Sequence, residues 1–399
     1  MSALLARTIG RTATITRRTL LMAAGSSFLA ATPRKLAAQP PVAIKFGRAP
    51  VNAIISNYLG PVDFFRDEGV AIEPFRVDNP GQLFQAMASG EVPVAEVGVA
   101  PALIALVRGL PFIAPFLGSC STPERPYERI MVLPNAPIHT LDDLKGKKMA
   151  FQGPGTVPDM LLGALPRRSK IRKEDIQLVP MPPPNQPDAL GQGLVDAIFA
   201  IPPADTVAER KYSARTVADA TELVPYSGLS TLIMRRDFAE AHSDAAGKIL
   251  TAAIRFERWI DDNPAPARAA MGKNLALPDD LTATARLPVF ARNGLPVMPN
   301  IWHVYQMLLE AKTVDPHPDP MKLFEERIVA PTRQFTLPAV ERLGIESDPA
   351  LEKNARSRIP AVAETAGSLL RRVGAPHTKA LSDHRRKALC HKRSLATSA

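Results

Sequence analysis

Cysteine is nearly absent from this chain. Cys120 and Cys390 are the only two in 399 residues, and their spacing supports no disulfide framework, although a single bridge between them stays open. Cys120, within Gly118-Ser119-Cys120-Ser121, has no flanking histidine and reads as a small half-buried residue rather than a nucleophile. Catalytic signatures are missing as well. The seven histidines, at 139, 242, 303, 317, 377, 384 and 391, include no i, i+4 pair around a glutamate of the kind a zinc protease uses. Residues 146–156 hold Lys and Gly without the ordered phosphate-loop pattern, and no G-x-S-x-G elbow occurs. The acid pairs Asp142-Asp143 and Asp261-Asp262 fall at expected helix ends, where the dipole and solvation account for them. The expectation is a protein that is not an enzyme, with no metal and no cofactor.

Long hydrophobic runs are also lacking. A membrane span takes about 20 apolar residues, and no stretch reaches that. The net charge of +10 invites a nucleic-acid partner, but its distribution argues against one. Residues 1–38 carry Arg7, Arg11, Arg17, Arg18, Arg34 and Lys35 with no acid. Residues 364–399 carry eight basic residues against Glu364 and Asp383. Each end is thus +6, and the body between them is −2. The basicity belongs to the ends, and no nucleic-acid partner is expected.

The N-terminus reads as an address. Arg17-Arg18 precedes a short, mildly apolar run, 20–31, and a small-residue exit at Ala37-Ala38. A charged start, a short apolar middle and a small-residue exit describe an export signal, and the paired arginines point to the twin-arginine route. Removal near Ala38 and a periplasmic location follow as expectations. The alternative is an amphipathic helix of the mature chain, against which stand the lack of acids and the break at Gln39-Pro40-Pro41. The tail 364–399 has no usable apolar periodicity and reads as disordered.

What is present is a pattern that occurs twice. Ala86-Met87-Ala88-Ser89-Gly90-Glu91-Val92-Pro93-Val94 returns as Ala189-Leu190-Gly191-Gln192-Gly193-Leu194-Val195-Asp196-Ala197. Each copy reads as a helix end, a glycine cap and a short apolar strand. Each then runs into a small-residue loop with proline, Gly98-Val99-Ala100-Pro101 or Ala200-Ile201-Pro202-Pro203. Two related α/β lobes with a ligand cleft between them are the expectation.

Apolar periodicity fills in the lobes. Val42, Ile44 and Phe46 make a strand, residues 54–65 a helix kinked at Pro61, and 72–77 a second strand. Asn79-Pro80 starts a helix that buries Leu83, Phe84 and Met87, and 94–98 is the third strand. Strand 130–133 is expected to leave this lobe and strand 229–234 to return to it, the two forming a hinge. From residue 244 a helix buries Ile249, Ala253, Phe256 and Ile260. The first lobe is therefore placed at 42–132 and 229–345, and the second at 133–228. In a doubly wound pair of lobes, the loops beginning near Arg48, Gly98, Gln152 and Ala200 converge on the cleft edge. Asn52 and Thr156 open helices, and either present donors to a ligand or simply cap. Arg48 is either a ligand contact or a solvated loop charge.

The segments FFRDEGV, QLFQAMASGEVPVAEVG, PALIALVRGLPF, LDDLKGKKMAFQGPGT and ALGQGLVDAIFAIPP together resemble the nitrate/taurine-type solute-binding proteins of ABC importers, over residues 42–260. The resemblance implies a type II periplasmic-binding fold: two doubly wound α/β lobes joined by crossing hinge strands. It also implies capture of a small polar or anionic organic ligand by a monomer and its delivery to a membrane permease and ATPase. By position, the ligand contacts would be Arg48, Pro50, Asn52, Gly98, Val99, Ala100, Gln152, Gly155, Thr156, Ala200, Ile201 and Pro202. Val157-Pro158 and Ile201 replace polar or acidic residues of many relatives, which implies a more apolar pocket than a nitrate or taurine site. The other reading is an enzyme on the same fold acting on a pyrimidine or related precursor. That chemistry needs a reactive His and a cysteine-rich iron motif, against which the two isolated cysteines stand.

Overall fold

The computed structural model describes residues 42–345, apart from positions 50, 52, 78, 79 and 225 and the side chain of Pro299. The expected export signal, the basic tail and Cys390 lie outside the described residues. Strand β1 (Val42–Arg48) alternates as its sequence requires, with Ile44 and Phe46 buried and Val42 facing out. The helix expected over 54–65 is instead a 3-10 turn, Ile55–Tyr58, and a short helix α1 (Phe64–Asp67). Gly60, at φ +149°, and Pro61, without an N–H, break the ladder between them. The first lobe continues through β2 (Val70–Arg76), α2 (Pro80–Ala88), β3 (Val94–Gly98), α3 (Val99–Val107) and β4 (Phe112–Leu117).

The chain leaves along β5 (Ser119–Ser121) and enters β6 (Arg129–Val132), β7 (Lys148–Phe151), α4 (Val157–Leu162) and β8 (Gln177–Pro180). There follow α5 (Gln186–Gly191), β9 (Ala197–Ala200), α6 (Ala204–Tyr212), β10 (Arg215–Asp219) and α7 (Ala220–Leu223). It returns through β11 (Ser227–Gly228), β12 (Ser230–Arg235), α8 (Arg236–Ala241) and the long helix α9 (Ser243–Asp262), and later adds β13 (Val289–Phe290). Ile249, Ala253, Phe256 and Ile260 of α9 are all buried, as their spacing predicts.

The two main sheets share one plan. The first has the order β2-β1-β3-β12-β4 and the second β8-β7-β9-β6-β10. In each, the first three strands are parallel and the fourth is antiparallel to the third. The sequence repeat occupies equivalent places, α2 into β3 and α5 into β9. Gly90 (φ +87°) and Gly193 (φ +70°) both take the left-handed conformation that stops the helix and turns the chain into the strand. The antiparallel strand of each sheet belongs to the other crossing. β6 joins the second sheet directly after the outward passage, and β12 joins the first directly after the return.

The strands near 130–133 and 229–234 therefore lie inside sheets. The passages themselves are β5 and β11, which pair antiparallel through Ser121–Ser227 and Cys120–Gly228, with β13 on the other side of β5. The hydrophobic pattern marks strands but carries no information on their partners, and the passages are too short to show an apolar period of their own beside the longer runs.

Candidate functional site

A cavity of about 60 Å³ lies at the carboxyl ends of β1, β3, β7 and β9, between the two main sheets. A water needs roughly 10–15 Å³ by this kind of measure, so there is room for several atoms of a small ligand. The first lobe contributes a mostly apolar wall that includes Val51, Ile54, Leu83, Val97, Pro101 and Leu229. The second contributes Gln152, Thr156, Val157 and Ile201, and the segment between β5 and β6 supplies Tyr127 and Glu128.

Of the ligand contacts expected from the sequence, Gly98, Gln152, Thr156 and Ile201 line this cavity. Arg48, Val99, Ala100, Gly155, Ala200 and Pro202 are not among its lining, and Pro50 and Asn52 lie outside the described residues. The displaced residues have other partners. The Arg48 guanidinium donates to the Ser56 carbonyl at 3.0 Å and to Asn57 Oδ1 at 2.8 Å, and burial, then Arg76, lower its pKa. Asn57 in turn holds the carbonyls of Ala49 and Val51, so Arg48 braces the loop wall. The Val99 N–H donates to the Leu229 carbonyl, the Gly155 N–H to Asp159 Oδ2, and the Pro202 carbonyl accepts from the Tyr127 hydroxyl. Ala100 and Ala200 are fully buried. Thr156 precedes α4 but does not cap it; its hydroxyl donates to the Gly153 carbonyl at 2.6 Å.

The sequence reading missed the ionisable groups of the cavity. Glu96 is fully buried on β3, where Oε2 accepts from the Ile55 N–H at 2.7 Å and Oε1 from the Ser230 hydroxyl at 2.9 Å. Burial outweighs these bonds and raises its pKa to about 8. A Cβ at Gly118 would stand 2.3 Å from Ser230 Oγ and 2.8 Å from Glu96 Oε1, so a side chain there is incompatible with this pair. A lone acid inside the apolar run Val94-Ala95-Glu96-Val97 was the available signal. Glu128 carried no such mark, being followed by Arg129 in a polar stretch.

Glu128 is 1% exposed, and its Oε2 has no hydrogen-bond partner. Burial raises its pKa to about 8, while its own backbone N–H and then Arg286 oppose the shift. Arg286 is held by Asp205 Oδ2 at 2.7 Å and by the carbonyls of Pro126 and Tyr127 at 2.9 and 2.7 Å. Behind the cavity, Glu257 of α9 is fully buried with neither oxygen partnered, and its pKa is driven well up by burial and then by Glu96. Cys120 sits nearby, its thiol pushed up to about 12 by burial, which leaves it protonated and unreactive as a nucleophile. Among the described residues no group of three or more His, Cys, Asp or Glu is arranged to hold a metal ion, and no helix is long and apolar enough to cross a membrane.

Two α/β lobes on one strand plan, joined by paired passages with a cavity at the strand ends, make a two-lobed ligand-cleft fold. The chain belongs to the NMT1/THI5-like family, whose model matches residues 61–267. It is similar to the taurine-binding periplasmic protein of Escherichia coli (strain K12), 24% identical over 207 residues, covering 50% of this chain and 61% of the relative. The chain spans no more than 62% of the length of the curated relatives it matches. Among solved structures it resembles the periplasmic aliphatic sulphonate-binding protein of Escherichia coli, at 24% identity and a TM-score of 0.55, covering 69% of this chain and 95% of that one. The periplasmic nitrate-binding protein of Synechocystis PCC 6803 aligns at 13% identity with a TM-score of 0.64, covering 76% and 89%. The expected kinship with nitrate/taurine-type proteins and the expected periplasmic-binding fold both hold.

Proposed function

We propose that this chain is an extracytoplasmic solute-binding protein, a monomer that captures a small organic molecule between its lobes and delivers it to the permease and ATPase of an ABC importer. The observation that carries this reading is the cavity itself. It is shared by both lobes, sits at the carboxyl ends of parallel strands, and lies beside the paired passages β5 and β11. Binding there links the two lobes, and such links are the usual route from ligand capture to a changed lobe arrangement. The names of the relatives support the same role. The paired arginines and apolar run of residues 1–38 support export to the periplasm with removal of the signal near Ala38. Gly98, Gln152, Thr156 and Ile201 are the proposed contacts of the ligand.

Closure is the expected response to that ligand. Small-angle scattering on the protein with and without a molecule that raises its Tm should show a smaller radius of gyration when bound. A ligand at 100 times its Kd also adds about 2.7 kcal/mol of stability, which a melting curve reads directly. An unchanged scattering curve at saturation would count against a hinged cleft.

A further inference from the structure

The polar groups of the cavity include one without a partner. Glu128 offers an unpartnered oxygen from a side chain 1% exposed. Thr156 also lines the cavity, and because its hydroxyl donates to the Gly153 carbonyl its oxygen is left only lone pairs to offer, as an acceptor. Both oxygens of Glu96 are accepting from the protein. The side-chain donors on the lining are neutral: the Gln152 amide, and the hydroxyls of Tyr127 and Ser230, which already donate to Pro202 and Glu96. Anion sites commonly use the free N–H groups of helix first turns. Here α2 begins with Pro80 and α3 carries Pro101 in its first turn, both on the lining, and the Val99 N–H is engaged by Leu229.

No Lys, Arg or His lies among the described lining residues. Positions 50, 52, 78 and 79, next to lining residues in the chain, are Pro, Asn, Asp and Asn and add no cation. Arg48 and Arg286, the cations of the adjoining segments, are tied to Asn57 and Asp205. A sulfonate or nitrate would find no cation on the described lining to balance its charge. A buried acceptor without a partner is itself a mark of something to be bound, because leaving it unsatisfied costs about 1–3 kcal/mol.

We propose that the cavity takes a nitrogen head group that donates N–H hydrogen bonds, such as an amine, an amidine or an amino-substituted heterocycle, and that Glu128 receives it. This rests on the reading of the cleft as a solute site and narrows its ligand class. Glu128 and Thr156 accept from the head group, and the apolar wall of Val51, Leu83 and Val97 covers the remainder of the molecule.

The test compares two probe sets on the full chain by thermal shift and titration calorimetry. One set is propylamine, benzamidine and 4-aminopyrimidine; the other is methanesulfonate, ethanesulfonate and nitrate. At least one nitrogen probe should bind about tenfold tighter than any anion. Glu128→Gln, which keeps the shape and removes a buried acid, should weaken that probe by about tenfold or more without lowering the apo Tm. The wild-type ranking decides the ligand class whether or not the variant folds. Tighter binding of an anion, or an affinity untouched by Glu128→Gln, overturns the inference and leaves the solute-binding reading standing. Binding of neither set overturns the inference too. The reading itself fails only if native mass spectrometry of protein from expressing cells, supplemented by a broad metabolite screen, also finds no ligand.

Discussion

At the residue scale the unusual quantity is buried carboxyl. Glu96, Glu128 and Glu257 are all within 1% of full burial, and burial raises the pKa of each. For Glu96 and Glu128 the folded value of about 8 stands above the unfolded value near 4.5. Below the lower value both states hold the proton, and the group has no net effect. Between the two the unfolded chain releases a proton that the folded chain keeps, so stability falls as pH rises. At Glu128 its own backbone N–H and then Arg286 work against the shift, and Tyr127 beside it is itself buried with a raised pKa. The Tm should therefore be higher at pH 5 than at pH 8, and Glu128→Gln should shrink that difference. An identical Tm difference in the variant would show that Glu128 does not titrate in this window. Exposed acids with lowered pKa values, such as Asp143 and Asp237, act below this range and do not mask it.

At the element scale the passages between lobes depend on Arg286. Asp205 on α6 is fully buried, and its Oδ2 is met by Arg286 Nε; the same guanidinium clamps the carbonyls of Pro126 and Tyr127 ahead of β6. Removing one partner of such a pair leaves a buried charge uncompensated, which costs roughly 3–5 kcal/mol. Arg286→Met should lower stability by about 3 kcal/mol in urea unfolding. The double variant Arg286→Met with Asp205→Asn should recover part of that loss. Absence of any recovery would mean that the carbonyl clamp, not the ion pair, carries the stabilisation. This coupling joins residues some 80 apart in sequence, and no local pattern advertised it. The strands and the repeat, by contrast, were readable because each is written in a short stretch: alternation in β1, and a glycine cap before β3 and β9. The expected helix over 54–65 failed for a local reason too, since Gly60-Pro61 does more than kink the chain.

At the scale of the whole molecule the charge is polarised by sequence position, with +6 at each end and −2 between. An N-terminal segment with paired arginines fits an export role, and changing Arg17 and Arg18 to Lys should leave the precursor unprocessed in the cytoplasm. Normal processing of that variant, followed by cell fractionation and immunoblotting, would show that the twin-arginine assignment is mistaken. The two sheets share their strand order, and the helix–glycine–strand segment stands at the equivalent place in each. That segment sets the parallel core of each lobe, while the antiparallel fourth strand arrives from the far side of a passage.

The sequence by itself determined the class of elements, the twofold repeat, the kinship and four of the cavity residues, Gly98, Gln152, Thr156 and Ile201. The elements and the repeat rest on local chemistry, hydrophobic period and glycine after a helix, while the kinship and the cavity residues rest on short segments that resemble a known family and on the loops that follow strands. Only the tertiary structure decided which strands form the passages, that Arg48 is a brace, and that two buried acids stand on the cavity wall. Those features depend on partners distant in the chain. Glu96 meets Ser230, Arg48 meets Asn57 across a loop, and Glu128 Oε2 is buried without a partner because the fold closes over it. A carboxyl group in a sequence is a charge in water until the fold decides whether water reaches it.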